Sequence, residues 1–328
     1  GAIIVGGCFE GILGLTAKYW RRLISPIVSA CVVVSIGLSI LNVGVSSFGS
    51  SSAYPLGSWQ NLLVATITLA AALVFHTTLK GVAKQLYVLL GMMVGYVVSI
   101  FFGMVDFAGM GSTIRELGIV AVPQLFAFKP QFQLGAILSF CLVFIVSAVE
   151  TIGDTTACCT GGLGRDITVE EISGSLCVDG FASALSGGVF GCSPITSFSQ
   201  NVGLVAMTKV VNRGALATGA IFLMLCGLIP KLGALISIMP QAVLGGAAVM
   251  MFSSIVVSGI QLITKEKMTP RTLTIVSVAL GVGYGMGANA KILANTPQFV
   301  QLICGESGIV PAAFVAILLN CLLPRDEK

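Results

Sequence analysis

The sequence predicts an all-α polytopic membrane protein, on three observations. Of its 328 residues 56% are hydrophobic and only 9% are charged, where a soluble domain carries about 25% charged residues. Mean hydropathy is +1.01. The polar residues gather in short runs between apolar stretches, most of them near the ~20 residues that span a bilayer. Forty glycines fit the same class, because small residues let membrane helices approach closely.

The elements follow in order. The first apolar segment covers about 1–17 and ends at Lys18, Arg21 and Arg22; the second covers about 24–45 and runs into the Gly/Ser loop SSFGSSSAYPLGS. The third, about 59–78, stops near Lys80 and Lys84, and the fourth covers about 86–104. A longer connection, about 105–133, holds Asp106, Arg115, Glu116 and Lys129. The fifth segment is about 134–157, followed by the charged loop RDITVEE, and the sixth is about 174–191. After a broken element come segments at about 214–236, 241–263 and 272–289, an amphipathic stretch at 290–305 and a last apolar run at 308–323. This makes ten spans plus the broken element.

The broken element is PITSFSQNVGLVAMTKVVNR, residues 194–213. Its start alternates Ile195, Thr196 and Phe198 with small polar residues, which reads as a short strand. A half-helix then runs to about residue 210, with Asn201 as its expected N-cap. A helix that begins inside a bilayer aims unpaired N–H groups and a positive dipole end into a cavity, as in the discontinuous helices of transporters.

Loop charges agree with this order of segments. With the first loop cytoplasmic, alternate loops collect 13 of the 17 Lys and Arg residues, the bias the positive-inside rule requires. The C-terminus is then cytoplasmic. The net charge of +4 is dispersed over these loops and does not form a nucleic-acid-binding patch. The ten cysteines show no metal-ligand spacing and read as small apolar residues. No Ser or Cys has a His nearby in sequence, and no GxSxG or HExxH occurs, so an enzyme finds no support. The stretch GVGYGMGANAKILANTP lacks the GK[ST] of a phosphate loop and reads as helix packing.

Four carboxylates fall within or at the ends of apolar segments: Glu10, Glu150, Asp154 and Asp179. Such groups are costly in a bilayer and mark functional sites. Glu150 and Asp154, in SAVETIGDTTA, are spaced i, i+4, which stacks them on one helix face. Glu150 reads as functional. Asp154 and Asp179 read equally as functional groups or as helix-end hydrogen-bond partners. Glu10 lies in a glycine-rich run and reads as structural. His76, the only histidine, reads as interfacial.

The motifs together resemble the nucleobase–ascorbate transporter family, the second nucleobase:cation symporter family. SFSQNVGLVAMTK is similar to its signature at Gln200, Asn201, Gly203, Thr208 and Lys209. SAVETIGDTTA resembles its eighth-helix motif at Glu150 and Asp154, and VDG its ninth-helix acidic position at Asp179. The resemblance spans the chain, from the family's fourth helix to its fourteenth, so about 11 of 14 membrane segments are expected. It implies an inverted seven-helix repeat with core and gate domains. Residues 1–22 are the last helix of the first core half, 23–133 gate-domain helices, 134–236 core helices with the substrate site, and 237–328 gate-domain helices and the C-terminus.

The resemblance further implies proton-coupled uptake of xanthine or uric acid across a bacterial cytoplasmic membrane, with protons preferred over sodium and no cofactor. Uracil or another nucleobase is the alternative substrate, and a homodimer through gate-domain helices is a possible assembly. Glu150, Gln200, Asn201, Phe198, Ser199 and Gly203 are the implied substrate-binding residues, and Glu150, Asp154 and Asp179 the implied coupling residues. Gln200 favours a purine, since an amide offers both a donor and an acceptor. A sulfate-transporter-type anion exchanger or channel is the reading from another class. Glu150 speaks against it, because a carboxylate would repel the anion.

Overall fold

The computed structural model describes residues 1–20, 25–106, 117–126, 128–198, 201–202, 205, 208–297, 300–301, 304 and 308–324. Twelve α-helices are named here: α1 Ala2–Leu15, α2 Ala17–Trp20, α3 Pro26–Phe48, α4 Trp59–Thr78, α5 Tyr87–Phe101, α6 Leu134–Cys158, α7 Val169–Gly188, α8 Arg213–Gly227, α9 Pro230–Ser237, α10 Gln241–Lys265, α11 Pro270–Ala288 and α12 Ile309–Leu322. Among the described residues there is no β-strand. Five helical stretches are long and apolar enough to cross a membrane alone: Pro26–Phe48, Trp59–Thr78, Ala83–Phe101, Leu134–Leu163 and Gln241–Lys265.

Two element expectations change. The apolar run expected at 214–236 is broken into α8 and α9, with Pro230 in the first turn of the second helix. Proline lacks the N–H that would continue α8 and has the φ suited to a helix start. Helix α7 begins within the expected charged loop. A capping box starts it: Thr168 Oγ1 accepts the Glu171 N–H at 3.2 Å, and the Glu171 carboxylate accepts the Thr168 N–H at 3.0 Å.

The chain forms two compact units. The first comprises Gly1–Ser39, Gln124–Val211 and Ile255–Lys328. One part of its core joins α3, α6, α10, α11 and α12 through Val28, Val32, Val149, Ile263, Ile275 and Ala313, all buried. A second cluster joins α6 and α7 through Ala148, Ile152, Ile172 and Leu176. Helix α1 lies against α7 and α6. Its crossing with α7 is set by glycine: a Cβ at Gly180 would stand 2.3 Å from the Gly11 nitrogen and 2.6 Å from the Gly7 oxygen. Only bare backbone fits there.

The second unit comprises Ile40–Pro123 and Asn212–Ser254. Val64, Ala65, Met104, Ala242 and Val243 form its buried centre. Buried Asn61 pins the 49–58 loop: its Nδ2 donates to Gly49 O at 2.9 Å and Pro55 O at 3.1 Å, and its Oδ1 accepts from Ser51 Oγ at 2.7 Å. His76, in the last turn of α4, sets its ring edge-on to Tyr87 at 4.9 Å.

Candidate functional site

The site is built on α6. Its residues Ser147, Thr151 and Asp154 recur at i, i+4 and i+7, so their side chains form one polar stripe along a mostly apolar helix. Gly153, beside Asp154, lets α3 come close: a Cβ there would stand 3.3 Å from Ser29 Cβ.

The stripe meets two other elements. On α7, Asp179 Oδ2 accepts from Thr151 Oγ1 at 2.7 Å and from Ser147 Oγ at 3.4 Å. From the broken element, Ser197 Oγ donates to Asp154 Oδ2 at 2.7 Å, and Thr196 Oγ1 stands 3.2 Å from Ser147 Oγ. Thr151 Oγ1 is also 3.4 Å from Ser197 Oγ. Both aspartates are buried, and their hydroxyl donors satisfy oxygens that would otherwise be costly to remove from water.

Glu150 and Ser147 line a cavity of about 230 Å³. Phe140, Phe144, Ile36 and Ile309 make its apolar wall, while Ser147, Glu150 and Thr196 supply polar atoms. Glu150 is 9% exposed, so little of it reaches the surface. That is the makeup of a small-molecule site, an apolar slot with few placed polar groups.

Of the strand expected at 194–199, the described residues 194–198 form none. Pro194–Phe198 runs without a ladder partner, and its polar groups turn to side chains. Ser183 Oγ on α7 accepts the Ile195 N–H at 3.1 Å and donates to the Ile195 oxygen at 2.6 Å. Helix follows at residues 201, 202, 205 and 208. Asn201 is already helical, its N–H bonded to Phe198 O at 2.9 Å, so it is not the N-cap. Lys209 closes the segment in the left-handed region at φ 57°, and its Nζ donates to Gly161 O.

Of the expected site residues, Glu150, Asp154 and Asp179 come together on α6 and α7. Phe198 is half-exposed, outside the cavity wall, and Asn201 is exposed. Ser199, Gln200 and Gly203 lie outside the described residues. Sequence reasoning passed over Ser147, Thr151, Thr196 and Ser197. The i, i+4, i+7 spacing around the carboxylates was a signal for the first two; nothing local marks the others. Among the described residues no group of three His, Cys, Asp or Glu side chains could hold a metal ion.

Buried carboxylates, a small cavity and a discontinuous helix on apolar helices define a membrane transport protein. The chain matches the model of the Permease family, the xanthine/uracil permeases of the nucleobase:cation symporter-2 group, over residues 1–292, and it belongs to that family. It is 33% identical over 331 residues to a putative purine permease of Clostridium perfringens, covering 99% of this chain and 71% of that one. It is 33% identical over 334 residues to the xanthine permease XanQ of Escherichia coli K12, covering 99% and 69%. With the uric acid permease PucJ of Bacillus subtilis it shares 34% over 341 residues, covering 100% and 74%. These are transporters rather than enzymes, and the chain is an integral membrane protein.

Proposed function

We propose that this permease takes up a purine nucleobase, xanthine or uric acid, across the cytoplasmic membrane together with protons. One observation carries the reading: Glu150, nearly buried, is the carboxylate in the wall of the apolar cavity. A purine offers ring N–H groups on a flat apolar body. The carboxylate accepts those N–H groups in charge-assisted hydrogen bonds, and the aromatic wall covers the ring faces. The cavity lies just under the ~300–1,000 Å³ of drug-sized sites, which suits a small heterocycle.

In this reading Gln200 pairs the opposite edge of the purine, and Ser199, Gly203, Asn201 and Phe198 shape that side of the site, as the family signature implies. Asp154 and Asp179 serve coupling, held by Ser197 and by Thr151 and Ser147. Residues 1–22 and 134–236 belong to a core domain, and 23–133 and 237–328 to a gate domain that also forms the homodimer. An anion exchanger is disfavoured by the same Glu150 carboxylate, which would repel its substrate.

The experiment is uptake of radiolabelled xanthine, uric acid and uracil by cells expressing the protein, with and without a protonophore. Xanthine or uric acid uptake that the protonophore abolishes is expected. Uptake of uracil alone, or uptake indifferent to the protonophore, would reject the reading.

A further inference from the structure

Glu10 has no part in the site described so far. It lies in the middle of α1, is 0% exposed, and neither of its carboxylate oxygens has a hydrogen-bond partner among the described residues. An ionised carboxylate in that state carries the full cost of leaving water with nothing to offset it. Its position is tightly set. Gly7, Gly11 and Gly14 put α1 in backbone contact with α7 at Gly180 and Cys177, beside Asp179. Gly180, next to Asp179 on α7, packs on the Glu10 backbone, where an added Cβ would stand 2.9 Å from the Glu10 carbonyl carbon; Ser147 and Glu150 belong to α6, the other helix against α1. No cation faces it from either helix packed on α1.

Asp179 differs from Glu10 in having donors. Its bonds from Thr151 and Ser147 both arrive at Oδ2. Two adjacent carboxylates in a dry interior do not both ionise, and one proton between them replaces a repulsion with a strong hydrogen bond. The donors favour charge on Asp179 and leave the proton to Glu10. Ser147 connects this pair to the cavity, because its hydroxyl bonds Asp179 and Thr196 and lines the cavity with Glu150.

We propose that Glu10 joins Asp179 in the ion-coupling site, the two holding one proton between them and joined to the Glu150 cavity through the Ser147 hydroxyl. The coupling role rests on the transport reading above; the shared proton does not. A second proton from the cavity takes the pair from a net charge of −1 to 0, and its return to the cavity restores −1.

Two measurements test this on the purified full protein in lipid. Infrared pH difference spectra should show the carbonyl stretch of a neutral carboxyl at neutral pH in the wild type and in Glu150→Gln alike. Glu10→Gln should lose that band, since its amide still donates to Asp179 and keeps it ionised. In proteoliposomes Glu10→Gln should lose the stimulation of xanthine uptake by an inward proton gradient while still exchanging xanthine for xanthine. A band unchanged in Glu10→Gln, or missing from Glu150→Gln, overturns the shared proton; gradient-driven uptake like wild type overturns the coupling role. If Glu10→Gln does not fold, Glu10→Met, which keeps the packing and removes the carboxyl, gives the same readings. If neither folds, the Glu150→Gln band decides. A wild type that takes up no nucleobase would reject the transport reading alone, and the spectra would still decide the pair.

Discussion

Glu150 and Asp154 sit four residues apart on one helix, yet their surroundings separate them. Glu150 lines the cavity, while Asp154 accepts a 2.7 Å bond from the Ser197 hydroxyl. The first is placed to touch a ligand and the second to hold the broken element. Glu150→Gln keeps the volume but turns donors toward the N–H groups of the purine, so it should abolish both xanthine binding and uptake. Asp154→Asn still bonds Ser197 and should impair uptake more than binding. Equilibrium binding and initial uptake rates on both variants decide this; wild-type binding by Glu150→Gln would remove Glu150 from the site. At Gln200, outside the described residues, exchange for Glu replaces a donor–acceptor amide with an acceptor-only charge. Xanthine uptake should fall and uracil compete better, and an unchanged competition profile would count against the role assigned to Gln200.

At the scale of one element, α7 holds Asp179 on one face and is started by the Thr168–Glu171 capping box. Thr168→Ala should cost about 1 kcal/mol, the usual worth of such a cap, read as a lower unfolding midpoint in detergent. Arg165 grips the Glu171 carboxylate through both guanidinium nitrogens, at 2.6 and 2.9 Å. Arg165 lies in the loop before α7 and Glu171 in the helix's first turn, ahead of the apolar span expected from about residue 174. The ion pair and the Thr168 N–H take the Glu171 carboxyl from its ordinary 4.5 to about 2. A depressed folded value means the contribution is fully present above about pH 4.5 and fades as pH falls toward 2. Arg165→Ala should therefore lower thermal stability at neutral pH, by a small amount because an exposed ion pair contributes little, and flatten the fall across that window so that the two proteins converge toward pH 2. A thermal-shift series against pH measures it, and a Glu171-independent acid transition would show up as no change in Arg165→Ala.

For the whole molecule, orientation follows from charge. Thirteen of the 17 Lys and Arg residues fall on one side of the predicted segments, and the C-terminal Arg325 and Lys328 are among them. Translocating a basic loop is unfavourable, so that side is expected to be cytoplasmic. A C-terminal green fluorescent protein fusion should fluoresce and a C-terminal alkaline phosphatase fusion should be inactive. The opposite pair of results would invert the topology and with it the side from which the cavity fills.

The amino-acid sequence by itself determined the class of protein, most of the helix limits, the place of the break near Pro194 and the helix carrying Glu150 and Asp154. These are local properties: hydropathy, helical spacing, glycine and proline positions are written in consecutive residues. It also held the capping box at Thr168 and the helix stop before Pro230, both readable from residue type though passed over. Only the tertiary structure decided which polar groups meet. Ser183 takes the backbone bonds that a strand partner would have taken at Ile195, Ser197 reaches Asp154 from 43 residues away, and Thr151 finds Asp179 28 residues on. Glu10 changed most between the two views. In sequence it is one acidic residue in a glycine-rich run; in the fold those glycines draw α1 onto α7 and shut its carboxylate in beside Asp179. Burial and partnership arise from packing between distant segments, and no window of the chain contains them.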